Sequence, residues 1–279
     1  MIHKFLAFIL MLCFFSTPIF AEGKELSYDR VLRTQTIRCG YVNYPPHLII
    51  DPNTKKMSGI SYDTMEEAAR MLGFKVDWVE ELGWGNTVEA IRSGRIDALC
   101  VSLWPSAVEG KYVGYTVPMF YSAVGAYVRA DEKRIKSDLS NLNDPQFKIS
   151  ATDGNLSFFT AQQDFPNATV LSLPNMTDET QMLQEVSAGK ADVAFIETYL
   201  GEKFIKTNPN SVKDLVPHSP VRIFGNTFGL PMEDIRLKSM LDAAIIPLIE
   251  GGMLERIIKK YEEVPNGILR VSKPYEVQK

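Results

Sequence analysis

The sequence is short of the residues on which most metal, hydrolytic and nucleic-acid chemistry is built. It holds three cysteines (Cys13, Cys39, Cys100) and three histidines (His3, His47, His218) in 279 residues, with no Cys-x-x-Cys and no His-x-x-x-His spacing. A zinc site takes three or four such donors at close spacing, so no metal and no cofactor is expected. Positive charge is not in excess either, since 30 Lys and Arg stand against 34 Asp and Glu for a net charge of -4. Nothing in that balance neutralises a phosphate backbone, which argues against nucleic acid as a partner. There is no Gly-x-Ser-x-Gly, no phosphate-binding glycine loop and no histidine beside a candidate nucleophile. Nucleophilic hydrolysis and kinase chemistry therefore have no visible machinery. Beyond the first 21 residues no apolar run approaches the roughly 18 residues of a bilayer span.

What is present is the material of a globular protein: 45% hydrophobic and 23% charged residues, enough for one or two well-packed domains. At the N-terminus Lys4 precedes an apolar run over 5–15, then Ser16-Thr17-Pro18 and the small residue Ala21. That pattern predicts a secretory signal peptide over 1–21, with cleavage after Ala21. Leu12 precedes Cys13 where a lipidated cysteine usually follows a small residue, so the expected product is a free exported protein and not a lipoprotein. Cys39 and Cys100 each end an apolar, strand-like run. Export permits a bridge between them, whereas the apolar setting favours two buried thiols, and the second reading is the preferred one.

Strand-like and helix-like segments alternate along the rest of the chain, with no internal repeat, which predicts an α/β protein. The expected order is a strand over 36–41, a loop through Tyr44-Pro45-Pro46, a helix over 61–72, a strand over 74–80, a helix over 86–93 and a strand over 96–102. Tyr62, Met65, Ala69 and Leu72 share a helical face, Asp63 is a candidate cap, and Gly73 follows where a left-handed C-cap belongs. Trp78 alternates as a core strand residue. A long extended stretch over 121–128 reads as a crossing, after which the rhythm restarts: strands over 147–152, 168–173 and 191–196, with helices to about 163 and over 177–188. A second extended stretch over 221–230 reads as the return, followed by helices over 233–250 and 251–262.

These residues carry a resemblance. Cys39-Gly40, Tyr44-Pro45-Pro46, Met57-Ser58-Gly59-Ile60, Gly94-Arg95-Ile96-Asp97-Ala98, Tyr115-Thr116-Val117-Pro118, Gly189-Lys190-Ala191-Asp192 and Ile257-Ile258-Lys259-Lys260-Tyr261 occur in an order and spacing that span nearly the whole mature chain. The chain resembles the solute-binding proteins of polar amino-acid ABC importers, the bacterial extracellular solute-binding family 3. The resemblance implies a two-lobed type II periplasmic binding protein fold, in which two Rossmann-like domains are joined by two β-type crossings. Lobe 1 is then discontinuous, 22–125 plus 226–279, and lobe 2 is 126–225. It implies a monomer that captures a small ligand in the interlobe cleft by hinge closure and presents it to an ABC permease. The cleft location agrees with the preference of ligands for the carboxyl ends of strands and for helix N-termini.

The same resemblance assigns candidate ligand contacts. Tyr44 and Trp84 match aromatic cleft positions, Ser102 ends the strand of lobe 1, and Trp104 stands where a small hydroxyl residue is usual. The position that usually carries an arginine for the ligand's α-carboxylate falls on Glu109, with Gly110 or Lys111 there under a slip of one or two residues. Asn155 lies in the Asp153-Gly154-Asn155 turn of lobe 2, and Glu197 matches the acid that usually holds an α-amino group. Two carboxylates with two or three ring faces form a cage for a cation, so the expected solute is an amine-bearing or cationic molecule. His47 reads equally as a residue of the cleft mouth or of the surface. The rival readings are a dehydratase-like enzyme with Glu197 as general acid, and a ligand-sensing adaptor for a membrane partner.

Overall fold

The computed structural model describes residues 25–265 and 267–271. The predicted signal peptide, with His3 and Cys13, lies outside the described residues. Among the described residues no helix is long and apolar enough to cross a membrane.

Helix α1 (Ser27–Thr34) leads into strand β1 (Thr36–Tyr41), and a small hairpin of β2 (Ile49–Ile50) and β3 (Met57–Ser58) precedes α2 (Ile60–Leu72). The first half of the molecule continues with β4 (Lys75–Glu81), a tight turn at Trp84–Asn86, α3 (Thr87–Ser93), β5 (Ala98–Leu103) and β6 (Val113–Tyr115). The long strand β7 (Phe120–Arg129) carries the chain into a second half made of β8 (Lys148–Thr152), α4 (Leu156–Asp164), β9 (Thr169–Leu173), α5 (Thr180–Ser187), β10 (Val193–Glu197), α6 (Thr198–Thr207) and β11 (Val212–Asp214). Strand β12 (Arg222–Pro231) returns, followed by α7 (Ile235–Glu250), α8 (Met253–Tyr261) and β13 (Leu269–Arg270).

The main sheet runs β4-β1-β5-β12-β7-β10-β8-β9. Its two ends are parallel, β1 with β4 and β5, and β8 with β9 and β10. At its centre β7 and β12 pair antiparallel, from Arg222 opposite Val124 to Asn226 opposite Phe120. Beyond that ladder β12 pairs β5 and β6, while β7 pairs β10 and β11. Each crossing strand thus belongs to one half along part of its length and to the other half along the rest. Parallel strands buried on both faces read as continuous apolar runs, and β5 and β10 are buried at every position.

The two halves use one local device twice. Asp97 and Asp192 precede their strands in the Ile96-Asp97-Ala98 and Ala191-Asp192-Val193 segments. The Asp97 carboxylate accepts the backbone N–H of Arg38 at 2.7 Å while its own N–H donates to the Arg38 carbonyl at 2.8 Å. Asp192 repeats the exchange with Lys148, both bonds at 2.8 Å. Arginines complete the neutralisation: Arg30 and Arg38 on Asp97, Arg134 on Asp192. A carboxylate buried this way is stable because it is both paired and hydrogen-bonded.

Four local readings are corrected. Cys39 and Cys100 form a disulfide, their Cα atoms 5.5 Å apart on the adjacent strands β1 and β5. Burial and bridging are compatible, so an apolar setting alone did not discriminate. Asp63 does not cap α2. The N-cap is Gly59, and the Asp63 carboxylate instead accepts from Lys260 Nζ and the Tyr261 hydroxyl, both at 2.8 Å, which ties α2 to α8. Trp78 sits on the edge strand β4, half-buried against Tyr62, with its indole N–H on Glu66 at 2.8 Å. Helix α6 was not foreseen because it starts at Thr198 with no loop after Glu197, where a turn signal would mark it. The left-handed C-cap at Gly73 is present, with φ 77°.

The bridge closes a loop with a sequence separation of 61, and chain-entropy arithmetic gives such a loop about 4 kcal/mol of stabilisation. The double variant Cys39→Ala/Cys100→Ala is expected to lose roughly 2–4 kcal/mol in chemical denaturation. An equal midpoint for the two proteins would show that the crosslink does not restrain the unfolded chain.

Candidate functional site

The crossing strands bring the carboxyl end of β5 to face the N-terminus of α4, and between them lies a cavity of about 240 Å³. Six of the residues singled out by sequence line it: Tyr44, Trp84, Ser102, Trp104, Glu109 and Asn155. Tyr44 sits in the loop after β1, whose turn is closed by paired Tyr44 and Leu48 backbone bonds at 2.8 and 2.9 Å. Trp84 meets Tyr44 edge-on with ring centroids 5.5 Å apart. Ser102 ends in a 2.9 Å hydroxyl pair with Ser61. Trp104 is fixed at both edges, stacked on Phe224 at 5.1 Å and donating from Nε1 to Asn226 Oδ1 at 3.0 Å. Asn226 in turn donates to Ser122 Oγ at 2.8 Å, so this indole is anchored to both crossing strands. Asn155 caps α4 by accepting from the Phe158 N–H at 3.4 Å and donates from Nδ2 to Glu179 Oε1 at 3.1 Å.

Glu197 stands apart from this lining. It is 2% exposed at the end of β10, and its Oε2 lies 3.0 Å from Nε2 of a fully buried His47. His47 is neither at the surface nor at the cavity. Its ring is stacked on Phe120 at 5.3 Å and lies 4.9 Å from that of Tyr44, which accounts for its complete burial. His47 Nδ1 and Glu197 Oε1 are both buried without a hydrogen-bond partner. Lys111 is exposed and does not line the cavity.

Glu179, just ahead of α5, was missed. Within Asp178-Glu179-Thr180 it reads as an ordinary acid at a helix start, and only the packing of α5 on the sheet of its own half brings it to the cavity. Phe159, Phe224 and Arg222 also line the cavity and were missed, because they come from a helix face and a crossing strand with no motif. Arg222 is paired with Asp164, which occupies the one basic side chain of the lining.

The electrostatics are one-sided. Burial pushes the Glu179 carboxyl up to about 8, with the nearby charge of Glu197 adding to the rise and the bond from Asn155 opposing it. Burial likewise raises Glu109. The Tyr44 hydroxyl goes well up as well, first through burial and then through the charges of Glu179 and Glu197. A carboxyl taken out of water without a counter-charge keeps its proton to a higher pH, and a cation brought beside it reverses that preference.

The halves meet closely across the cavity. Gly154, at φ 75°, packs so tightly on the Gly85 backbone that a Cβ there would lie 2.7 Å from the Gly85 Cα. Trp84 also donates its backbone N–H to the Asn175 carbonyl at 3.4 Å.

The family model of the bacterial extracellular solute-binding proteins, family 3, matches residues 37–264. The chain belongs to that family. It is 25% identical over 236 residues to a probable histidine-binding protein of Campylobacter jejuni, covering 82% of this chain and 86% of that one. The fold is similar to that of a cysteine-binding protein from Campylobacter jejuni, with TM-score 0.74 and 17% identity over 89% of this chain and all of the other. It is also similar to an ancestral amino acid-binding protein described as a precursor of cyclohexadienyl dehydratase, with TM-score 0.72 and 20% identity over 84% and 99% of the two chains. The fold is thus a two-lobed type II periplasmic binding protein and the role is solute binding.

Two outcomes are expected. Gly154→Ala and Gly189→Ala each place a side chain at positive φ, 75° and 70°, and each is expected to cost about 1–2 kcal/mol of stability. Only the first meets backbone of the opposite half, so it alone abolishes ligand-induced compaction in small-angle scattering. Equal compaction in both variants would rule out the glycine contact as a requirement for closure. Second, below pH 4.5 the Glu179 carboxyl is neutral whether folded or unfolded, and between 4.5 and about 8 the unfolded chain ionises while the folded carboxyl holds its proton. Ligand-free stability should therefore fall over that range, by on the order of 1–3 kcal/mol. Glu179→Gln should flatten the profile in denaturation measured from pH 5 to 8, and an unchanged slope would assign the effect elsewhere.

Proposed function

We propose that the protein is the extracytoplasmic solute-binding component of an ABC importer, taking a small amine-bearing or cationic solute into the cavity between its lobes. The observation that carries the ligand class is the cavity itself: Glu109 and Glu179 stand among Tyr44, Trp84, Trp104 and Phe224, and Arg222 is already engaged by Asp164. A ring face attracts a cation with about 0.5–2 kcal/mol, more as water is excluded. A free carboxylate on the solute meets no unpaired basic side chain among the described residues of the lining. An α-carboxylate is therefore not required for binding.

The rest of the reading follows the family and its relatives. The protein acts as a monomer in the periplasm after loss of the signal peptide over 1–21 and delivers its solute to a membrane permease. Lobe 1 comprises 22–125 and 226–279 and lobe 2 comprises 126–225. The two paired crossing strands act as the hinge about which the lobes close. Relatives are named as histidine-, cystine- and arginine-binding proteins, and each of those solutes carries an amino group, the part that this acidic cavity would meet. We read the protein as a binder and not as a dehydratase, because such substrates are dicarboxylates or amino acids that need a cationic clamp.

The test compares L-arginine, its decarboxylated form agmatine, choline and L-glutamate by thermal shift and calorimetry. A ligand at 100 times its Kd adds about 2.7 kcal/mol of stability. Stabilisation by agmatine at least equal to that by arginine, with none by glutamate, is the expected result. A strong preference for the zwitterionic amino acids would show that a carboxylate is bound after all. Turnover of an amino-acid substrate would overturn the non-enzymatic reading.

A further inference from the structure

Among the described residues several half-buried and buried acids have their own cations, Arg30 and Arg38 on Asp97, Arg134 on Glu132, Lys190 on Glu185 and Arg270 on Glu262, while Asp234 and Asp214 have backbone N–H groups that hold them instead. Glu109 and Glu179 have no such cation, and both line the same cavity. They stand at different ends of it. Glu179, with Tyr44 and Trp84, also borders a second cavity of about 320 Å³ beside Pro45 and Asn175. Glu109, with Trp104 and Phe224, borders only the first, near Ser106 and Ala107. Burial raises the carboxyls of both Glu109 and Glu179. The same cavity is lined by the rings of Trp104, Phe159 and Phe224, with Trp104 locked in place by Phe224 and Asn226.

An unpaired carboxyl removed from water costs free energy, and here the cost is incurred twice in one chamber. A single ammonium offsets only one of the two. We propose that the solute is a linear dication, a diamine or an amino-guanidine, with one cationic head on Glu179 between Tyr44 and Trp84, the other on Glu109, and its aliphatic chain along Trp104 and Phe224. A cavity of about 240 Å³ equals the liquid volume of roughly eight waters. That volume holds a short chain with two polar ends. The dication narrows the preceding reading of the cavity as a cation site and depends on it.

The experiment is a calorimetric series of α,ω-diamines from 1,3-propanediamine to 1,6-hexanediamine, each against the n-alkylamine of the same chain length, on the mature protein with its disulfide intact. One diamine length is expected to bind about tenfold or more tighter than its monoamine, the worth of one further charge-assisted hydrogen bond. Glu109→Gln and Glu179→Gln should each reduce that advantage to about the twofold statistical preference of a molecule with two equivalent ends, with circular dichroism and ligand-free thermal midpoint reporting that each variant is folded. Equal binding of diamines and monoamines, or an advantage that survives in both variants, overturns the dication while leaving the cation site in place. Binding of neither amine class, with stabilisation by L-glutamate or neutral amino acids instead, overturns the cation reading itself.

Discussion

The antiparallel ladder between β7 and β12 is the interaction on which the rest of the molecule depends. Five residue pairs, Arg222 with Val124 through Asn226 with Phe120, are the only part of the main sheet path where its two halves are joined. Because each strand then continues into a different half, the ladder sets the separation and angle of the two parallel ends. It also sets the cavity between them. Asn226 and Ser122, one on each strand, hold the Trp104 indole, and Phe224 supplies the face on which that indole stacks. A hinge with a buried polar pair and a stacked ring permits rotation of the halves while keeping one wall of the site ordered.

The halves themselves are made rigid by covalent and ionic means. The Cys39–Cys100 bridge joins β1 to β5 just below the cavity, and the Asp97 and Asp192 clasps tie each parallel strand pair at the opposite end. Gly154 against Gly85 allows backbone to approach backbone, which a side chain on Gly154 would obstruct.

Within that frame the charges of the site fall into two sets. His47 and Glu197 face one another behind Tyr44, the His47 ring stacked on Phe120, each with one buried polar atom left unpartnered. Glu179 and Glu109 are left facing the cavity without a protein cation. Glu197 is thus compensated by a histidine, whereas Glu179 accepts a bond from the neutral amide of Asn155 and has no protein cation beside it.

Much of the architecture was legible in the chain. Period-two and period-3.6 patterns put β1, α2, β4, α3, β5 and the crossing strands within a few residues of where they lie, because side-chain alternation is local and each element buries one face. Tyr44, Trp84, Ser102, Trp104, Glu109 and Asn155 were picked out by their register with the resembled family, in agreement with the tendency of clefts to form at strand ends in α/β sheets. Other features depend on which elements meet. Asp63 reaches α8 across 198 positions, His47 reaches Glu197 across 150, and Glu179 faces the cavity only because α5 packs where it does. Local sequence determined the elements, their order and the strand ends that carry the site. Only the tertiary structure decided which acids are neutralised within the protein and which remain for a ligand, because charge compensation is a property of distance in space and not of spacing along the chain.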